Sequence, residues 1–281
     1  MLIGIGIFLV IIGLIFVWFY IPYSPLKTRF LKDIESLKNN AKLKVQGRLF
    51  KKEDFLHLPK AIQCYMDCCG YIGTSQMSYL KMEYRDMDFM MGKSGPAQKI
   101  DYTQYNFVVE PCRMARIDSH MFGIPFEGYD YYQNGIGGMR GQIAKAINLF
   151  HQTGPEMDKA CLVTYLAESL FAPAILLQDF IVLEEISAYE VKATITYGGQ
   201  TANGIFAFNE AYEYVCFTTN DRGVSNKDGT MEYVPWSAVC DGYRVSETGI
   251  KYPTKFKAIW NYQDGDFVYF DGVIHAISYG E

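Results

Sequence analysis

Five side chains between residues 140 and 168 have types that suit acid–base chemistry: Arg140, His151, Glu156, Asp158 and Glu168. Carboxylates with a histidine supply acid and base, and an arginine holds an anionic group. Glu156 and Asp158 also have a structural explanation. Acids in a helix's first turn complement its dipole, and Thr153 with Glu156 has the spacing of a capping box. Glu168 is harder to explain that way, because it interrupts the apolar run from Leu166 to Leu177. Burial there raises a carboxyl pKa, as a catalytic acid requires.

Other signatures fail on spacing. Gly92-Lys93-Ser94 suggests a phosphate-binding loop, but Met87 stands five positions earlier, where that loop needs glycine. A turn between strands is the better reading. Gly135 to Gly141 is glycine-rich, yet Arg140 occupies the last glycine position of a dinucleotide fingerprint and no βαβ context surrounds it. None of the four histidines (57, 120, 151, 275) lies in H-E-x-x-H, and there is no G-x-S-x-G elbow. Cys64, Cys68 and Cys69 lack the paired spacing of a zinc site and read as small buried apolar residues. No cofactor and no metal is expected.

These residues must be positioned by elements that begin with a membrane span. Met1 to Leu26 has no charged side chain, and about twenty apolar residues in a helix cover a bilayer core of about 30 Å. Trp18, Tyr20 and Tyr23 fall where an aromatic belt would, and Pro22 and Pro25 stop the helix. No basic residue precedes the apolar run and no A-x-A-like site follows it, so retention is expected over cleavage. Gly4, Gly6 and Gly13 form no G-x-x-x-G dimerisation face.

Charge is segregated beyond the span. Lys27 to Lys52 holds nine Lys/Arg against Asp33 and Glu35, so with the whole chain at −5 the portion from residue 53 onward sums to −12. A basic block beside a span favours the cytoplasmic face, and seven cysteines without framework spacing suit reduced thiols. The acidic body excludes broad nucleic-acid contact.

Periodicity then sets the fold class. Pro25 to Ala41 repeats Leu26, Phe30, Ile34 and Leu37 at helical spacing, a helix that lies on the bilayer or packs on the domain. Pro59 to Cys69 predicts a second helix, with Ile62, Met66 and Cys69 on one face and Gly70 as stop. From Ser75 to Gln133 the period is two. Met139, Ile143, Ile147 and Phe150 predict a helix over 138–150, and Thr153-Pro155-Glu156 starts another that Pro173 ends. Period two returns after Ile181, with a tight-hairpin signal at Asp264-Gly265. The 16 % aromatic share also favours strands over helices. The expectation is an α+β protein of about ten strands: an anchor (1–25), a basic juxtamembrane segment (26–55) and one antiparallel domain (56–281).

Leu58-Pro59, Cys69-Gly70-Tyr71-Ile72-Gly73, Gly154-Pro155-Glu156-Met157-Asp158, Tyr165-Leu166-Ala167-Glu168, Pro173, Pro235-Trp236, Tyr252-Pro253-Thr254 and Asp271-Gly272-Val273-Ile274 together resemble a bacterial family of single-span proteins of unknown function. The resemblance covers most of the chain beyond residue 55. Its architecture is similar to the lipoprotein-carrier (LolA/LolB-like) group, which implies a curved antiparallel sheet, a half-barrel, wrapped around helices on its concave face and enclosing an apolar cavity.

Three readings follow. In the first, Met82, Tyr84, Met139, Trp236 and Trp260 line the half-barrel and hold a lipid or other apolar small molecule near the bilayer, with Met87, Met90 and Met91 adding adaptable surface. In the second, Glu156, Asp158, Glu168, His151 and Arg140 share one cleft as an enzyme site. In the third, the anchored domain is a scaffold offering an edge or surface to a partner.

Overall fold

The computed structural model describes residues 2–45, 47–93, 95–225 and 231–280. Helix α1 (Leu2–Tyr20) projects from the body, with Ile3 to Val17 exposed along its length. Its apolar composition has no protein partner to bury against. Helix α2 (Pro25–Val45) follows after four residues. Of its two expected placements it takes the second: Leu26, Phe30, Ile34 and Ala41 are buried against Tyr105, Phe107, Cys112, Met114 and Tyr129. Helix α3 (Lys60–Cys68) buries Ala61, Ile62, Tyr65 and Met66 in the main core, and Gly70 at φ +72 ends it.

Six strands follow as a meander: β1 (Tyr79–Phe89), β2 (Gln98–Phe107), β3 (Cys112–Met121), β4 (Ile124–Gln133), β5 (Ile136–Ile143) and β6 (Ile147–Thr153). Helix α4 (Pro155–Ala167) and two short 3-10 turns, Ser169–Phe171 and Pro173–Leu177, lead to the second group. This comprises β7 (Ile181–Ser187), β8 (Glu190–Tyr197), β9 (Gln200–Phe208), β10 (Tyr214–Thr219), β11 (Gly223–Ser225), β12 (Met231–Tyr233), β13 (Trp236–Val245), β14 (Lys251–Tyr262) and β15 (Gly265–Gly280). Thirteen of these make one antiparallel sheet in the order β6-β5-β4-β3-β2-β1-β15-β14-β13-β10-β9-β8-β7, and β11 pairs with β12 alone.

The order has a simple logic. The two meanders are zipped together where β1 pairs with β15, from Tyr79 opposite Gly280 to Phe89 opposite Phe270. Their outer strands, β6 and β7, are therefore the sheet's two edges. The connection between them, α4 and the 3-10 turns, must cross the sheet, and the sheet curls around it. Ala160 to Val163 and Tyr165 to Ala167 are all buried. A helix that is apolar on nearly every side belongs inside a core, and α4 is of that kind from Ala160 onward, with its charged first turn left at the surface. The curl brings the edges together without closing the sheet: the Tyr132 and Tyr197 rings are 6.5 Å apart, and the β4–β5 turn meets the β8–β9 turn at Gly135 and Gly198.

Two more expectations are corrected. Residues 138–150 form the β5–β6 hairpin, not a helix. A spacing of four fits a strand face as well as a helix face, since four is even, and Met139 and Ile143 do share the inner face. Gly137, Gly138 and Gly141 disfavour a helix and leave room for Cys161, Tyr131 and Phe150 to lie on the strand. The capping box is also absent. Thr153 is the last residue of β6, Gly154 at φ +113 is the N-cap with no side-chain bond, and Pro155 opens α4 as expected. Helix α4 ends at Ala167, before Pro173.

The meeting of the turns is testable. A Cβ on Gly135 would lie 2.7 Å from Gly198 Cα, at φ +80. Gly135→Ala is expected to lower stability by about 2–4 kcal/mol, combining left-handed strain with overpacking. Urea unfolding of the detergent-solubilised chain measures it, and a loss below a few tenths of a kcal/mol would mean that the two turns do not touch.

Candidate functional site

The inner face of β2–β4 carries a polar cluster amid aromatic and aliphatic packing. Strand alternation sends Tyr102, Gln104 and Asn106 of β2, Arg113 of β3 and Asp130 of β4 toward α4. Glu168, the C-cap of α4, meets them. Arg113 Nε donates to Glu168 Oε2 at 2.8 Å and Nη2 to Oε1 at 3.1 Å, a bidentate pair with both side chains almost wholly buried. Its Nη1 donates to Asp130 Oδ2 at 2.6 Å and its Nη2 also to the Tyr102 hydroxyl at 2.7 Å. Asn106 Nδ2 donates to Glu168 Oε2 at 2.8 Å.

This arrangement suits structure better than proton transfer. Every neighbour bonded to the Glu168 carboxyl is a donor, so it is held as an acceptor. Burial opposes charge on Arg113, but Glu168, Tyr102 and Asp130 more than offset it and keep the guanidinium charged. Burial pushes the Tyr102 phenol up, against the pull of Arg113. Two hollows lie away from this cluster: one of about 70 Å³ near Ala41, Phe107 and Pro111, and a polar one of about 180 Å³ between Glu83, Asp101, Arg116 and Asp118.

The other sequence candidates are scattered. Asp158 accepts the Gly137 N–H at 2.6 Å, and Glu156 accepts the Tyr233 hydroxyl. Arg140 and His151 face each other across β5 and β6 on the outer face, where Arg140 binds Asn148 Oδ1 and His151 lies 3.3 Å from the Tyr131 hydroxyl. The sheet itself separates them from Glu168. Met82, Tyr84, Trp236 and Trp260 are buried in the main core and Met139 is packed against it. Tyr84 rests on Tyr102 and Phe270, and Trp236 donates to the Tyr269 hydroxyl at 3.1 Å. Cys68 departs from the buried-apolar expectation. It is exposed, Cys69 is buried with its Sγ 3.7 Å away, and Cys64 is intermediate. The Cys69 hydrogen bond, against the effect of burial, pulls the Cys68 thiol down, and Lys251 adds to this.

A second polar group joins the domain to α1. Trp18 Nε1 donates to Ala144 O at 2.8 Å, and Lys145 Nζ donates to Ile21 O at 2.7 Å and Trp18 O at 3.2 Å. Lys145, buried in the β5–β6 turn, thus caps the last carbonyls of α1. Beside it the buried Glu127 accepts from the Ser24 hydroxyl and from Arg116 Nη2 at 3.0 Å. Sequence reasoning passed over Arg113, Asp130 and Lys145. The available signal was a charge at an inward position of a strand, as in Cys112-Arg113-Met114-Ala115.

A model of the family of unknown function DUF6544 matches residues 48–272. No curated protein matches the chain. Similar solved structures include a domain assigned to outer membrane lipoprotein sorting from Vibrio parahaemolyticus, 8% identical over 72% of this chain and 85% of that one, TM-score 0.40. Another is a DUF1329 family protein from Desulfovibrio piger, 10% identical over 92% and 94%, TM-score 0.41.

Two measurements test the local chemistry. Arg113→Met and Glu168→Leu are each expected to cost about 3–5 kcal/mol, because each strands a buried charge, while the double variant loses clearly less than the sum. Strict additivity in thermal or urea unfolding would refute the pairing. Iodoacetamide at neutral pH should label Cys68 first among the seven cysteines, read by peptide mass spectrometry; preferential labelling of Cys216 would contradict the assigned environment.

Proposed function

We propose for this chain, which belongs to the DUF6544 family, the role of a membrane-held scaffolding module: a single-span anchor (1–25), a basic juxtamembrane segment (26–55) and one β-rich domain (56–281) that presents its surface to a partner at a fixed place beside the bilayer. The observation that carries this reading is the junction at Lys145. Its buried ammonium on the Trp18 and Ile21 carbonyls, with the Trp18 indole on Ala144, ties the apolar helix to the β5–β6 turn. A cleaved leader has no use for such a grip, because the mature domain would then bury a lysine whose partners had left. Burying an ammonium without acceptors is costly.

The cytoplasmic side is favoured for the domain by the basic block after the span and by seven free cysteines. An enzymatic reading receives less support, since Glu168 and the His151–Arg140 pair stand on opposite faces of the sheet. The apolar-ligand reading rests on the Met- and aromatic-rich concave face. With Leu170, Phe171, Ile175 and Leu176 filling that face, a lipid would enter only by displacing the 3-10 turns. Native mass spectrometry of the gently extracted chain separates the two, because a co-purified lipid favours displacement and a bare chain favours the scaffold.

Anchoring is tested directly by alkaline carbonate. The full chain is expected in the membrane pellet; release into the supernatant would overturn the proposal. Lys145→Met should leave the chain in the pellet but loosen the junction by about 1–3 kcal/mol, seen as faster hydrogen exchange around residues 18–26 and 143–147.

A further inference from the structure

The end of the sheet that holds α1 carries two hairpin tips, and their composition is unlike the rest of the domain. Helix α2 runs from this end, where Ser24 meets Glu127, to the opposite end, where Ala41 packs near Phe107 and Cys112. Helix α1 is exposed from Ile3 to Val17 and so projects outward from the near end, held only at its last turn. The β5–β6 turn is bonded to the last turn of α1, and it also touches the next hairpin, since Ala144 N–H donates to Pro125 O at 2.8 Å. Three residues before Pro125 lies the apex of the β3–β4 hairpin, a further reach of up to about 10 Å in extended chain.

That apex is Phe122-Gly123, closed by the Met121–Ile124 pair. Both residues have positive φ, +55 and +78. A two-residue turn of this kind selects Asn-Gly or Asp-Gly, and a bulky aromatic there is an outlier. Phe122 is also 97% exposed, so packing within the protein does not explain it. Single exposed apolar residues are ordinary, but this one has company: Ile147 and Leu149 are exposed on the adjoining β6 edge, and Tyr20 and Tyr23 at the end of α1. Neither tip segment, Ser119 to Phe126 or Ile143 to Phe150, contains an acid, although the body is strongly acidic. Farther along the same end, the β14–β15 turn is flanked by Asp264 and Asp266.

We propose that the β3–β4 hairpin tip, with Phe122 at its apex, inserts into the boundary between lipid headgroups and acyl chains beside α1, giving the domain a second attachment to the bilayer. The proposal rests on the reading of α1 as a span. An aromatic at the interface contributes by apolar burial, and the absence of carboxylates avoids desolvating charge and repelling anionic lipid.

Tryptophan fluorescence of the full chain, reconstituted in phosphatidylcholine and phosphatidylglycerol vesicles with acyl chains brominated near the headgroups, tests it. In the parent chain Trp236 and Trp260 are buried, so bromine should quench Trp18 alone, and Trp18→Phe should abolish that quenching. Phe122→Trp keeps an aromatic at an exposed position and should roughly double the quenched fraction. Tyr189→Trp, at the opposite end near α3, should add none. Quenching of Trp18 without extra quenching in Phe122→Trp, or equal extra quenching in Tyr189→Trp, overturns the insertion and leaves the anchor intact. Absence of quenching in both the parent and Phe122→Trp overturns the anchor and the insertion with it.

Discussion

The topology rests on one constraint: two antiparallel meanders are zipped at β1 and β15, so the chain passes from one sheet edge to the other through the interior. Because α4 makes that passage, it is buried on nearly every side from Ala160 to Ala167, and the sheet curls to cover it. The curl places the end of α4 opposite the inner faces of β2–β4. There the C-terminal end of a buried helix meets Arg113, whose guanidinium binds Glu168 in bidentate fashion and Asp130 in turn. A neutral filler of similar volume would serve stability as well or better. The ion pair is directional, with Arg113 Nε and Nη2 each on a different oxygen of Glu168.

The strand content and the two terminal helices were legible in the sequence because period-two alternation and an uncharged run of twenty residues are strong signals. The β5–β6 hairpin was hidden by an arithmetic coincidence, as Met139, Ile143 and Ile147 satisfy both a helix face and an even strand spacing; the glycines decided for strand. Glu168 stands out in the sequence as an acid in an apolar run, but its partner lies 55 residues away on β3. No local pattern announces such a pair. His151 and Arg140 looked like members of the same site because they are near in sequence, and a strand puts neighbours of that kind on whichever face its pleat dictates.

The interior and the end that holds α1 use charge in opposite ways. Inside, two carboxylates and a guanidinium satisfy one another and leave the concave face filled by Phe171, Ile175 and Leu176. At the outer end, carboxylates are missing from both hairpin tips, and the buried Lys145 is committed to helix carbonyls. An acidic body with two acid-free hairpin tips on one side has a preferred orientation toward an anionic surface, because the repulsion is smallest when those tips face it.

The tether between the proposed span and the domain reinforces that orientation. Only residues 21–24 separate α1 from α2, and Ser24 among them is bonded to the buried Glu127. A flexible linker would let a domain sample a volume set by its length; here the junction removes that freedom at three places, the Trp18 indole, the Lys145 ammonium and the Ser24 hydroxyl. Helix α2, at about 1.5 Å per residue, then runs roughly 30 Å up the outer face of β2–β4. Its buried stripe of Leu26, Phe30, Ile34 and Ala41 is used on the sheet, while Arg29, Leu31 and Lys32 face the surroundings. On the proposed anchoring, the height and tilt of the domain above the bilayer follow from its own fold, which is the property a scaffold needs and a diffusing carrier does not.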